Sequence, residues 1–157
     1  MATVSAYDPR RRRMLRLAVG AGLLLAWILL QVDDWGRDLT GYRAQTSPTA
    51  SDPLLRTLQR PEPARELVQA IKWAAFRMRN VQYIGETSDK NTTLVLFVRT
   101  HRLLRIKDDI VMRVEDQGSR RLVGGAAESR LHVGDLGRNP RSLRRLRAEL
   151  LAVLGNY

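Results

Sequence analysis

Cysteine is absent from the 157 residues, which excludes disulfide staples, thiolate metal sites and thiol nucleophiles in any compartment. Histidine occurs only at His101 and His132, with no H-x-x-x-H spacing for zinc. Neither a Walker sequence nor a G-x-G-x-x-G loop is present, and Ser129 lacks the G-x-S-x-G elbow of a hydrolase. Asp108 and Asp109 are neighbours, so on a strand their side chains point to opposite faces and do not make a two-carboxylate acid/base pair. With no catalytic set in view, the expectation is a protein that is not an enzyme and needs no metal or cofactor. Lysine is also scarce: Lys72, Lys90 and Lys107 are the only ones, so the net charge of +11 is carried by arginine. Such a surface suits anionic lipid, nucleic acid or acidic protein partners.

Long apolar runs are few as well. Only Met14 to Val32 has the length and apolarity of a bilayer span, roughly 28 Å at about 1.5 Å per helical residue. Its charge-free part, Leu17 to Leu30, is shorter, so the reading depends on the flanks. Arg10 to Arg13 precede it, and Asp33, Asp34 and Trp35 follow it, as expected of a positive-inside start with an aromatic far end. Arg13 and Arg16 at one end, with Trp27 and Trp35 towards the other, are the candidate membrane contacts; Arg16 is placed to snorkel. No A-x-A-like site follows the run, so the expectation is an uncleaved signal anchor. In a bacterium this puts the N-terminus in the cytoplasm and the remainder in the periplasm, where nucleic acid ceases to be a partner.

The chain then divides into a basic tail (1–13), a transmembrane helix (14–32), a linker (33–60) and an α+β domain (61–157). Gly36 to Asp52 has turn-forming composition and no sustained period, which predicts extended linker. Pro61 to Arg79 predicts a helix with Leu67, Ile71, Ala74 and Met78 on one apolar stripe. Trp73 and Phe76 widen that surface and are expected to pack against a sheet, with contact to a partner or membrane as the alternative. Strands follow at Val81–Glu86, Thr92–Arg99, Lys107–Glu115 and Arg120–Leu131. Ile110, Met112 and Val114 alternate with Val111 and Arg113, and Gly124–Gly125 predicts a bulge or a close backbone approach. Asn139 as cap and Pro140 as first residue predict a last helix with Leu143, Leu146, Leu150 and Val153 or Leu154 inward. The fold class expected is α+β: a small antiparallel sheet covered on one face by two helices.

Ser129 to Arg141, SRLHVGDLGRNPR, is the most distinctive local text. Gly134 and Gly137 bracket Asp135 in a tight turn that leads to the last helix. Asp135 can accept hydrogen bonds from the turn's own amides or pair with Arg130 across it. The functional alternative has Arg130, Arg138 and the helix N-terminus converging on an anion.

Ser129, Arg130, Asp135, Gly137 and Asn139 stand in the register S-R-x-x-x-x-D-x-G-x-N, with Asp108–Asp109 on an earlier strand. In these features the chain resembles domain-of-unknown-function family 1499, from about Thr46 to Leu154. It departs from the family's usual pattern at His132, where glycine is common, and at Ser142, where a basic residue is common. The resemblance implies a fold and no established activity.

The function expected is a single-span accessory subunit that binds and stabilises a larger inner-membrane complex, photosynthetic or respiratory. Its partners would be membrane lipids and the other subunits. A membrane-anchored periplasmic module that binds lipid or a small anion is the alternative.

Overall fold

The computed structural model describes residues 9–30, 40–102, 105–131 and 134–155. Trp35 and His132 lie outside the described residues, as does the side chain of Trp27. The chain forms two compact units, Met1–Asp33 and Asp34–Tyr157.

Among the described residues the first unit is one helix, α1, Pro9–Leu29. It starts five residues before the expected span, because proline is well suited to a first helical position and arginine is a good helix former. Arg10 to Arg13 and Arg16 therefore lie inside the helix. The uncharged part from Leu17 onwards is about 20 Å long, against a hydrocarbon core of ~30 Å. Among the described residues, no helix is long and apolar enough to cross a membrane.

The second unit is an α+β domain with a six-stranded antiparallel sheet. Its elements are β1 (Arg43–Gln45), a 3-10 turn (Pro53–Leu55), β2 (Leu58–Arg60), α2 (Ala64–Arg77), β3 (Val81–Asp89), β4 (Thr92–Thr100), β5 (Lys107–Asp116), β6 (Arg121–Ser129) and α3 (Arg138–Leu154). The sheet runs β1-β6-β5-β4-β3, and β2 also pairs with β6. The expected linker is thus corrected: β1 and β2 come from it and cover the outer edge of β6. Their three residues each are too few to show a period in the sequence. The opposite edge, β3, carries a bulge between Tyr83 and Gly85.

Both helices pack on one face of the sheet, over Val95, Phe97, Ile110, Met112, Val114, Val123 and Ala127. The predicted stripes point inward: Leu67, Ile71, Ala74 and Met78 from α2, and Leu143, Leu146, Leu150, Val153 and Leu154 from α3. Each large apolar side chain fully buried here contributes about 1.5–3 kcal/mol. Gly125 is the close approach expected of it. A Cβ there would lie 2.5 Å from Met112 Sδ and 3.3 Å from Leu143 Cδ2, so the bare backbone lets α3 settle on β6.

Candidate functional site

The residues singled out in the sequence meet at one end of the sheet, beneath the start of α3. Strand register builds the first row: Arg99 on β4 lies opposite Asp108 on β5, which lies opposite Ser129 on β6. Asp108 is 1% exposed and Ser129 is fully buried. Ser129 donates to the Asp108 carboxylate, and Arg138 Nη2 stands 3.7 Å from Asp108 Oδ1 and 3.4 Å from Ser129 Oγ. Burial pushes the Asp108 carboxyl above its usual range, opposed by Arg138, the Ser129 hydrogen bond and Arg99. Burial also pushes the Arg99 guanidinium down, against the pull of Asp108, and Arg138, Arg141 and Arg145 add to the lowering. Arg99 donates to Ser142 Oγ, whose own proton goes to the Arg138 carbonyl at 2.7 Å.

The second layer is the turn before α3. Asp135, 2% exposed, accepts from the amides of Gly137 at 2.8 Å and Asn139 at 3.1 Å. Gly137 at φ 73° makes this possible, since a left-handed residue is needed to fold the turn back on the carboxylate. The Asp135 carbonyl accepts from Arg138 N at 3.1 Å and from Arg138 Nε at 3.0 Å. The Asn139 side chain donates to the Tyr42 carbonyl at 2.7 Å, which also receives Ser129 N at 2.8 Å.

Two expectations change here. Asn139 is not the helix cap; Gly137, two residues earlier, is, and the Asp135 carboxylate takes the amides of Gly137 and Asn139. The anion site does not assemble from the residues proposed for it. The first amides of α3 already have acceptors: Arg138 and Asn139 in Asp135, Arg141 in the Gly137 carbonyl, while Pro140 has no N–H. Arg130 turns instead to Asp109 in a two-pronged pair, Nε to Oδ2 at 2.9 Å and Nη2 to Oδ1 at 2.7 Å. Asp109 and Asp108 are on opposite faces, so no carboxylate dyad forms. No group of His, Cys, Asp or Glu that could hold a metal occurs among the described residues.

Arg99 and Tyr42 belong to this cluster and carried no signal in the sequence, and His101, noted there only as one of two histidines, stands beside them. Burial, then Arg138 and Arg99, push the His101 imidazole below its usual range. Reading the register of β4 against β5 would have found Arg99; Tyr42 acts through its backbone carbonyl, which no sequence pattern marks.

A different surface lies on α2 and the edge strand. Trp73 is 56%, Phe76 79% and Tyr83 45% exposed, so the expected packing of Trp73 and Phe76 into the core is corrected. They sit two and five residues beyond Ile71, which places them away from the buried stripe. The Trp73 and Phe76 rings meet edge to face at 6.0 Å, and Tyr83 meets Phe97 at 5.9 Å. Together with Gln69, Lys72 and Val81 they line an open groove of about 440 Å³.

The fold and its polar cluster define a small α+β domain with helices on one face of an antiparallel sheet and a self-capped last helix. The chain belongs to the DUF1499 family of proteins of unknown function, whose family model matches residues 39–150. No curated protein and no solved structure matches it.

Proposed function

We propose that the chain is a non-catalytic accessory subunit of a larger membrane protein complex, attached by its N-terminal helix and working by contact. The observation that carries this reading is the exposed Trp73–Phe76–Tyr83 groove, on a domain whose polar turn before α3 answers its own amides. Such aromatic exposure marks a surface that meets something else. The attachment is supported by the arginine cluster that leads into the apolar half of α1, in the order of a positive-inside anchor. The uncharged part is short, which favours a span covered by a neighbouring helix or set in a locally thinned bilayer. The domain is placed in the periplasm, and a bacterial inner-membrane complex of photosynthetic or respiratory type is the proposed host.

Mild detergent extraction of native membranes, followed by native electrophoresis with the chain tagged at its C-terminus, tests this. The expected result is a band far heavier than the chain alone, lost when residues 14–32 are exchanged for an unrelated apolar span. Recovery of free monomer only would overturn the reading.

A further inference from the structure

We propose that the Trp73–Phe76–Tyr83 face docks on an anionic lipid interface. This rests on the reading that the chain works at a membrane, and it names what this one face touches. The groove carries the side chains that favour the headgroup region: tryptophan and tyrosine, apolar in body with a polar tip, beside an exposed phenylalanine.

Two cations beside it are unmatched, although Glu66 stands further along the same helix. Arg77 follows Phe76 on α2, and Arg79 lies just before β3; both are exposed and have no carboxylate partner among the described residues. Glu86, on the same strand as Tyr83, is neutralised by Lys72 at 2.7 Å. The Lys72 ammonium also stands 5.0 Å from the Tyr83 ring centroid. The rim therefore presents unmatched cations next to aromatic rings, and the whole chain carries +11. An acidic bilayer surface complements both features at once, whereas a neutral apolar partner would leave the two arginines without counter-charge.

The test uses the full chain, whose lack of cysteine allows a single nitroxide label at Gln69→Cys, an exposed position lining the groove. Ser51→Cys, exposed on the segment between β1 and β2, is the reference position. The protein is reconstituted in vesicles of phosphatidylglycerol with phosphatidylcholine, and separately in phosphatidylcholine alone. Collision rates with oxygen and with a water-soluble nickel chelate then report depth. The proposal expects the label at 69 to be lipid-exposed in the anionic vesicles and aqueous in the neutral ones, with the label at 51 aqueous in both. Arg77→Gln with Arg79→Gln is expected to weaken the docking equilibrium roughly 30-fold, and Trp73→Ser with Phe76→Ser to abolish it.

A label at 69 that stays aqueous in anionic vesicles overturns the proposal. Equal depth in both vesicle types overturns it too, as does spin–spin broadening that shows a second copy on the face. If docking fails while the native complex persists, this proposal falls and the accessory-subunit reading stands. If docking holds and no complex is found, the reverse applies.

Discussion

Two regions of the helix layer use polar and aromatic residues in opposite ways. Beneath the start of α3, Asp108, Ser129, Asp135 and Asn139 are buried beside a half-buried Arg138, and all but the Oδ1 atoms of Asp108 and Asn139 have hydrogen-bond partners within the fold. On the outward side of α2, Trp73 and Phe76 are exposed, beside arginines with no carboxylate partner among the described residues. The first region contains the residues that look like a site in the sequence. The second contains residues that look like core. Partner geometry treats the two differently: Asp135 takes the turn's own amides, the first of the two expectations for it, whereas the aromatic pair stands outside the core it was expected to join.

The comparison is broken most directly at Asp135. Its carboxylate answers two buried amides, and leaving each without an acceptor costs about 1–3 kcal/mol. Asp135→Ala should therefore destabilise the domain by about 4 kcal/mol, read from urea unfolding followed by circular dichroism. Asp135→Asn keeps one acceptor and should lose roughly half as much. A small loss from the alanine variant would mean that this end of α3 is open after all, and that anion binding there deserves a new look.

Arg138→Leu comes next. It removes the cation nearest a buried carboxylate, with Arg99 remaining, and should cost about 2–3 kcal/mol at neutral pH. The cost depends on pH in a definite direction. The folded-state pKa of Asp108 is raised, so the folded state holds the proton more tightly than the unfolded chain does. Between the unfolded and folded pKa values the folded state binds more protons, and stability rises as pH falls through that window. Removing Arg138 removes a group that lowers this pKa and so raises it further. The penalty of Arg138→Leu should then shrink on acidification, and the shrinkage should vanish when Asp108→Asn is combined with it. A penalty that is flat with pH would show that Arg138 acts through Ser129 and the Asp135 carbonyl rather than through Asp108.

The fold was legible where a period was present. The stripes Leu67–Ile71–Ala74–Met78 and Leu143–Leu146–Leu150, and the alternation along Lys107–Glu115, each repeat often enough to identify a helix or a strand. Three-residue strands such as Arg43–Gln45 and Leu58–Arg60 repeat nothing, and they form because β6 offers an edge. The members of the polar cluster were legible as residues but not as a network. Arg99, Asp108 and Ser129 meet only through the register of three strands, which is a long-range property. Trp73 and Phe76 were legible in principle. Counted from Ile71, their helical positions already fall outside the buried stripe, but their apolar character suggested the core.

The smallest expected effect on stability is the most informative about the exposed face. Trp73→Ser with Phe76→Ser removes two large apolar side chains, and in a core this would cost several kcal/mol. At 56% and 79% exposure the pair has little burial to lose beyond its own edge-to-face contact at 6.0 Å. In urea unfolding the double variant should thus lose only about 1–2 kcal/mol, from the edge-to-face contact and the covered part of Trp73. A change of several kcal/mol would mean that these rings are covered within the folded chain, and the contrast between the two regions would disappear. A small change has the opposite consequence. Side chains that contribute little to folding, yet place two exposed aromatic rings next to arginines with no carboxylate partner among the described residues, need a reason outside the folded domain, and contact with a charged apolar interface supplies one.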